Sequence, residues 1–452
     1  MKIKNKLVSG ALILSIGGFV TKILGAFYRI PLTNILGAEG IGIYQAVFPF
    51  YCLLLTASST GVPNGISKLI SQNEKEGYCL LKSALKIFIP IGIAGSLIML
   101  VFCKSLAIIQ GNYQAYFAYA MLSPSVLLVS VISCFRGFFQ GLTDMKPTAI
   151  SQIIEQAVKL VLGLTLCSFV SQKIYIKAGL ATLAVSVSEL ITCLYFYVIF
   201  KKRGYSFKNF KSVKTDVKLV LKIVFPVMLS TIVIPSARTI ESFFVLNVIG
   251  SYSNNATALY GLYSGAVESI VSVPVSICYA IAVTSVPIIS KLFSENKSVT
   301  KKSNQAITYT LILGTLFAIA FLTLSNVVVK IMYPNLSAQN SAVTINLLKL
   351  SSLSVILLPL MQTTASILIA IGKVYIPPIT SVFSVVIKLI TSYLLMKVPS
   401  INIFGAVISD ILCYFVASVS NLVYIYIYTR KKRQVLSVSF NDVKNVGAQN
   451  NE

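Results

Sequence analysis

The sequence has 452 residues, of which 56% are hydrophobic and only 11% carry a charge. Soluble domains carry roughly 25% charged residues, so this composition excludes a soluble protein of this length. The net charge of +25 suggests nucleic-acid binding at first sight, but the positions of the basic residues exclude it, as described below.

Long apolar stretches follow one another along the chain, each able to cross roughly 30 Å of hydrocarbon as a helix. Only helices and closed barrels satisfy the backbone polar groups there, and the stretches are unbroken, which excludes the alternating pattern of a barrel. The sequence therefore predicts an all-α polytopic membrane protein with about twelve transmembrane helices. The predicted spans, numbered one to twelve, are residues 7–30, 42–70, 84–109, 113–137, 148–170, 178–200, 217–249, 257–290, 305–331, 343–371, 375–397 and 403–429.

The first stretch superficially resembles a signal peptide. It is too long for one, carries Lys22 and Arg29, and lacks a small-residue cleavage site, so we interpret it as a retained first helix.

The basic residues cluster on one side of the predicted membrane. When residues at span ends are counted with the nearer side, cytoplasmic segments hold 27 of the 38 Lys and Arg, the outer side holds seven, and four lie deeper within spans. This positive-inside pattern places both termini in the cytoplasm of a multi-pass inner (plasma) membrane protein. The basic residues then mark topology and contacts with anionic membrane lipids, and no nucleic-acid partner is expected.

An internal repeat divides the spans into two halves. Segments 63–73 and 287–296 share the string Ser-Lys-Leu-apolar-Ser-Gln/Glu-Asn at an offset of 223 residues. Gly141 and Pro147 match Gly372 and Pro378 at an offset of 231. Six spans is an even number, so the halves are predicted to be parallel, related by a pseudo-two-fold axis along the membrane normal.

This repeat predicts two six-helix lobes. The predicted regions are a first lobe at 1–203, a basic cytoplasmic linker at 204–216, a second lobe at 217–430 and a polar cytoplasmic tail at 431–452.

Proline recurs at corresponding places in spans two and eight. Pro49 and Pro63 lie in the first of these spans, and Pro274 and Pro287 lie in the second with nearly equal spacing. A proline inside a helix frees a carbonyl and bends the axis. We therefore expect both helices to be bent and these four prolines to be hinge candidates.

Two motifs carry a family resemblance over nearly the whole chain. TKILGAFYRIP at 21–31, followed by LGAEGIGIYQ at 36–45, is one; RGFFQG at 136–141, followed by MKPTA at 145–149, is the other. Both resemble the polysaccharide-flippase branch of the multidrug/oligosaccharidyl-lipid/polysaccharide exporter superfamily. Within it, they resemble the stage V sporulation protein B group, relatives of the lipid II flippase.

The resemblance implies a transporter of cell-wall or polysaccharide biosynthesis and not an enzyme. Two lobes would form a V around a central cavity, and alternating access would move a lipid-linked sugar of the polyprenyl diphosphate type from the inner to the outer leaflet. It implies no cofactor, coupling to sodium or protons, and action as a monomer. Lipid II flippases add two spans beyond those predicted here, so we expect the wider class of polyprenyl-linked glycans.

Basic residues within spans are the first site candidates, because charges in hydrocarbon usually face a cavity or a partner. Lys22 and Arg29 lie two helical turns apart and share a face of span one, and a diphosphate needs cations on such a face. Arg238 on span seven, the counterpart of span one, is the third candidate. The alternative for Arg29 is that it reaches the outer headgroups.

Acidic residues within spans are candidates for ion coupling. Glu268 and Asp410 have no obvious oppositely charged partner on their own helices, and the resemblance adds Glu241. Glu241 is also spaced to pair with Arg238, as Glu155 is with Lys159. We leave both same-helix pairs open between a structural and a functional role, and assign Glu189 and Lys388 no role.

Two other functions remain as alternatives. A drug/cation antiporter of the same superfamily would need carboxylates and aromatic rings, rather than basic residues, in the first lobe. A polytopic glycan-processing enzyme would need acids in large outer loops, and Glu39 is the only acidic residue in the predicted outer loops. With no histidine and eight cysteines without repeated close spacing, the sequence predicts no metal site.

Overall fold

A computed structural model describes residues 2–72, 77–170, 173–205, 232–295 and 297–449. Every regular element in these ranges is a helix, which confirms the predicted all-α class. The first-half helices are α1 Lys2–Leu55, α2 Val62–Gln72, α3 Gly77–Val101, α4 Cys103–Gln110, α5 Tyr116–Gly141, α6 Lys146–Phe169 and α7 Ile174–Lys202. The second-half helices are α8 Val233–Phe244, α9 Ala256–Tyr260, α10 Glu268–Ser294, α11 Thr300–Met332, α12 Ala338–Ala370, α13 Ile376–Met396 and α14 Phe404–Gln449.

Within the described ranges, ten helical segments are long and apolar enough to cross a membrane. The first of them, Ile16–Leu55, covers most of predicted span one and the first half of predicted span two. Most of the predicted linker and the beginning of predicted span seven fall on residues 206–231, outside the described residues. The chain is therefore a multi-pass helical membrane protein.

Gly37 separates spans one and two within α1. Its φ of 67° and ψ of −176° are not helical, and a positive φ is a conformation that glycine adopts at little steric cost. The chain therefore changes direction at a single residue, where the sequence predicted a longer outer loop.

Apolar residues face outward on the spans, as a lipid environment requires. In α11, Leu316, Ile319 and Leu322 are exposed, whereas Thr310 and Ser325 are buried. Buried hydroxyls need hydrogen-bond partners, and the Thr310 hydroxyl lies 3.0 Å from that of Thr363. In this helix several large apolar side chains therefore face outward, while Thr310 and Ser325 lie inside.

Glycines allow span one to lie close against span five. A Cβ built on Gly10 would meet Met145, one on Gly17 would lie 2.8 Å from Ala149, and one on Gly25 would lie 3.7 Å from the Gln156 side chain. Small residues let membrane helices approach closely. The face of span one that carries Lys22 and Arg29 is the face of Gly25, so it is turned toward span five.

A second close approach joins the beginnings of spans two and eight. A Cβ on Gly42 would overlap the Thr257 carbonyl oxygen, and one on Gly261 would overlap the Ala38 carbonyl oxygen. The Gln45 amide donates to the Ser264 carbonyl at 3.1 Å in the same buried contact. Side chains larger than hydrogen at Gly42 or Gly261 would therefore separate the two helices.

Three spans contain π-helical segments, which are Thr56–Thr60, Val245–Ile249 and Gly261–Val267. The first precedes Pro63, which lacks the N–H that would bond to Ser59 four residues earlier. Pro49, Pro274 and Pro287 lie inside regular helices. Pro63 is thus the hinge candidate that lies next to a π-helical segment. The hinge role of all four prolines stays a prediction.

The chain divides into two compact units. The first comprises Met1–Ile270, Val327–Asn346 and Ser392–Ala406, and the second comprises Val271–Asn326, Leu347–Thr391 and Val407–Glu452. The boundaries of these units are not those of the predicted lobes, which stay a prediction.

The repeated string has the same local geometry in both halves. The Ser71 hydroxyl donates to the Lys68 carbonyl at 2.9 Å, and the Ser294 hydroxyl donates to the Lys291 carbonyl at 2.9 Å. Each serine corresponds to the other at the predicted offset of 223 residues. Other serines of the chain, such as Ser123 and Ser188, make the same kind of hydrogen bond, so the repeat stays a prediction.

Candidate functional site

Span one places Lys22 and Arg29 on one face of α1. The Lys22 side chain is exposed and that of Arg29 is half-buried. The Arg29 charge acts on Lys159 of span five and on Cys52 of span two. Arg29 is thus half-buried and within electrostatic range of charged and polar groups on spans two and five, and its choice between a cavity and the headgroups stays a prediction.

Arg238 forms an ion pair with Glu268 of span eight. Its guanidinium Nη1 lies 2.8 Å from Glu268 Oε1, with side chains 55% and 37% exposed. Glu241, three residues further along the helix of Arg238, accepts a 3.5 Å hydrogen bond from the Tyr263 hydroxyl. Arg238 is thus paired between spans seven and eight, while its same-helix pairing with Glu241 stays a prediction.

Of the predicted site residues, Arg238 and Glu268 are in direct contact. Both of them, like Arg29, lie within electrostatic range of Cys52 on span two. Lys22 lies two turns before Arg29 on the same helix.

Asp410 also has a partner that the sequence did not reveal. Its Oδ1 lies 2.7 Å from the ammonium nitrogen of Lys388, and the two side chains are only 13% and 10% exposed. The pair joins α13 to α14. Glu268 and Asp410, which were predicted to have no oppositely charged partner on their own helices, each pair with a basic residue of a neighbouring helix.

A buried polar network in the first half was not recognised in the sequence. Glu155 pairs with Arg136 of α5 at 3.0 Å and not with Lys159, its same-helix candidate. The Lys159 ammonium instead lies 5.5 Å from the ring centroid of Tyr28. The Tyr51 hydroxyl donates to Glu189 Oε1 at 2.8 Å. The sequence shows which charged residues lie within spans. Only the packing of the helices determines which of these residues pair with each other.

In the part of the chain that the structure describes, no group of three or more Cys, Asp or Glu is placed to hold a metal ion. Three of the ion pairs found there join different helices.

Comparisons with known proteins agree with this arrangement of spans. The family model described as "Polysaccharide biosynthesis protein" matches residues 7–293. The lipid II flippase MurJ of Bacillus subtilis is 26% identical over 94% of this chain and 83% of its own length. Stage V sporulation protein B of the same organism is 27% identical over 73% of this chain and 67% of its own length.

A solved structure shares the fold. An inward-facing multidrug resistance transporter of the MATE family, in the MOP superfamily, matches with a TM-score of 0.73 over 92% of this chain and 96% of its own. Its sequence identity is 14%, so the likeness concerns the fold alone. The resemblance inferred from the two sequence motifs is thereby confirmed.

Proposed function

The chain belongs to the polysaccharide biosynthesis protein family, and on that premise we propose that it is a flippase for a lipid-linked oligosaccharide or peptidoglycan precursor. The similarity to the lipid II flippase along 94% of the chain carries this proposal. The substrate is a polyprenyl diphosphate-linked sugar that moves from the inner to the outer leaflet by alternating access. The protein acts as a monomer in the inner membrane, in contact with membrane lipids.

The cationic side chains of the first half supply the chemistry for the diphosphate. Arg29 lies beside Lys159, and in the described part of the chain neither has a carboxylate within ion-pair distance. Two neighbouring cations repel each other and are stabilised by an anion between them. Arginine adds bidentate hydrogen bonds to phosphate oxygens. Lys22, Arg29 and Arg238 are the proposed contacts to the substrate.

These cations argue against the drug antiporter as the function. A cationic, aromatic drug would be repelled by Arg29 and Lys159. The fold likeness to a MATE transporter does not favour drug transport, since it is a likeness of fold at low identity.

A ligand-retention experiment tests the proposal. Purified protein is exposed to a polyprenyl diphosphate-sugar and to phosphatidylglycerol, and the retained lipid is measured by native mass spectrometry. We expect preferential retention of the diphosphate-sugar, and loss of that preference in Arg29→Ala. Equal retention of both lipids by the unmodified protein would contradict the proposal.

Coupling is proposed to use a proton or a sodium ion, with Glu241, Glu268 and Asp410 as candidate groups. The Lys388 ammonium lies against Asp410 at 2.7 Å, so a lysine cation takes the place that a metal cation would need there. This pair supports proton coupling over sodium coupling at Asp410.

The orientation with both termini in the cytoplasm is proposed from the distribution of Lys and Arg. A cysteine introduced at Asn254 in a cysteine-free background should react with a membrane-impermeant reagent added outside. A cysteine at Lys208 should react only after the membrane is opened. The reverse labelling would invert the topology.

A further inference from the structure

Four charged residues meet inside the first six spans, and the function proposed above uses only one of them. This first-half charge cluster consists of Arg136, Glu155, Lys159 and Glu189. Arg136 and Glu155 form an ion pair at 3.0 Å, so their charges cancel. The remaining charges are those of Lys159 and Glu189.

Glu189 is the most buried member, with 3% of its surface exposed. Its Oε1 accepts the 2.8 Å hydrogen bond from the Tyr51 hydroxyl. Its Oε2 is buried, and no donor among the residues that the structure describes lies within hydrogen-bond distance of it. The neighbouring Ser125 hydroxyl lies 2.9 Å from that of Ser186 instead. A buried carboxylate oxygen without a donor costs free energy, and a proton on that oxygen removes the cost.

The titratable groups that face Glu189 come from the helices packed around it. They are Tyr51 from span two, and Glu155 and Lys159 from span five. Cys193 is its neighbour on its own helix. Arg136 of span four acts on the same region but is already bound to Glu155.

Lys159 links this cluster to the proposed substrate face. Its ammonium feels the charges of Glu155, Arg29 and Glu189 together. When Glu189 is ionised, its charge offsets that of Lys159. When Glu189 is neutral, Lys159 and Arg29 form an uncompensated pair of cations, which is the state that binds an anion.

We propose that Glu189 is a proton-binding site that sets the charge of the Arg29–Lys159 pair, so that a proton and an anionic headgroup bind together. This proposal rests on the proposed function for the identity of the anion, a diphosphate. In the binding step one proton from water joins Oε2 of Glu189 as a new O–H bond. Tyr51 keeps its own proton, and no electron is transferred.

Linkage fixes the sign of the pH dependence. Because the protonated state binds the anion more tightly, anion binding must favour proton uptake by the same free energy. Affinity for a diphosphate therefore rises as pH falls through the titration of Glu189. One linked proton limits the change to about tenfold per pH unit.

An infrared titration of the reconstituted protein tests proton binding without any transport. We expect the carbonyl-stretch band of a buried protonated carboxylic acid, present at low pH and absent from Glu189→Gln. Glu295→Gln is the matched control, because Glu295 is an exposed carboxylate that pairs with Lys297 at 2.8 Å, and it should retain the band. A band that persists in Glu189→Gln would overturn the proposal.

Tyr51→Phe provides a second variant that keeps the acid. The hydroxyl of Tyr51 stabilises the ionised carboxylate more than the neutral acid, so its removal should move the midpoint of the band to higher pH. An unchanged midpoint would overturn the assignment of the band to Glu189, even if Glu189→Gln fails to fold.

Binding of a short polyprenyl diphosphate across the same pH range tests the link to the anion. Titration of the ligand phosphate affects both proteins alike. Relative to Glu189→Gln, the unmodified protein should therefore lose up to about tenfold more affinity per pH unit as pH rises. The same pH dependence in both proteins would overturn the proposal. Inorganic pyrophosphate, the second probe, should bind more weakly; equal binding would overturn the assignment to a lipid-linked anion.

Failure of the transport function is distinguishable from failure of this inference. A protein that binds the diphosphate with the predicted pH dependence but moves no lipid-linked sugar contradicts the flippase proposal and upholds the proton site.

Discussion

Arg29 differs from Arg136 and Arg238 in its surroundings. Arg136 pairs with Glu155 and Arg238 pairs with Glu268, whereas no carboxylate of the described residues lies within ion-pair distance of Arg29. An arginine that is half-buried among helices and lacks such a partner can give its hydrogen bonds to a ligand. We therefore predict that substrate binding depends most on Arg29.

We predict that Arg29→Ala and Lys22→Ala reduce binding of a polyprenyl diphosphate-sugar. Loss of one charge-assisted hydrogen bond costs about 1.5–3 kcal/mol, which corresponds to roughly a ten- to hundredfold loss of affinity. Lys301→Ala, at an exposed position near the beginning of α11, is the control and should bind normally. Full affinity in both span-one variants would reassign these residues to headgroup contacts.

The buried pair of Lys388 and Asp410 gives a second prediction for single residues. Lys388→Met removes the partner of a nearly buried carboxylate, which costs about 3–5 kcal/mol, so the thermal unfolding temperature in detergent should fall. Lys388→Met combined with Asp410→Leu should recover most of the loss.

Lys397→Met, at an exposed lysine beside Tyr393, is the control for that measurement and should unfold like the unmodified protein. If Asp410 takes part in proton coupling, the stable double variant should transport without responding to a pH gradient. Unfolding of Lys388→Met at the unmodified temperature would show that the pair does not stabilise the fold.

At the scale of helices, glycines determine where spans approach each other. Gly42 leaves the space that the Thr257 carbonyl occupies, so a methyl group there must push spans two and eight apart. By contrast, a Cβ on Gly18 would meet nothing within 4 Å. The two glycines form a matched pair of positions, one constrained by packing and one open.

We predict that Gly42→Ala lowers stability by about 1–3 kcal/mol, the usual cost of overpacking, and reduces transport. Gly18→Ala should leave both unchanged or raise stability slightly, since alanine favours a helix. Thermal unfolding of the purified variants measures the difference. Equal stability of the two variants would mean that the close contact of spans two and eight is not formed.

Much of the helix arrangement could be predicted from sequence, because hydropathy and the placement of Lys and Arg act along the chain. The pairing of charges could not. Spacing of three or four residues suggested Arg238 with Glu241 and Glu155 with Lys159, yet the structure pairs Arg238 with Glu268 and Glu155 with Arg136. Arg238 and Glu268 are 30 residues apart in sequence, and Arg136 and Glu155 are 19 apart. Helical periodicity predicts contacts within one helix and not contacts between neighbouring helices.

The chain turn at Gly37 and the burial of Glu189 illustrate the same limit. A single glycine with positive φ replaces the expected outer loop, and nothing in the sequence distinguishes it from Gly40 or Gly42. Glu189 stood among several charged residues within spans, and only its contact with Tyr51 identified it as a candidate proton site.

As a whole, the molecule combines a membrane-transporter fold with cationic side chains in its first half. The family and the similarity to the lipid II flippase indicate a lipid-linked sugar as the substrate. The cations beside span one suit the diphosphate of such a lipid, and the buried carboxyl of Glu189 offers a route by which a proton gradient changes their net charge.

The most direct test of flippase function is the movement of a labelled polyprenyl diphosphate-sugar across reconstituted vesicles. Exposure of the label on the far leaflet should increase when the protein is present, and it should respond to a proton gradient more than to a sodium gradient. Arg29→Ala in the same vesicles should behave like empty vesicles. Exposure that is the same with and without protein, under both gradients, would contradict the account.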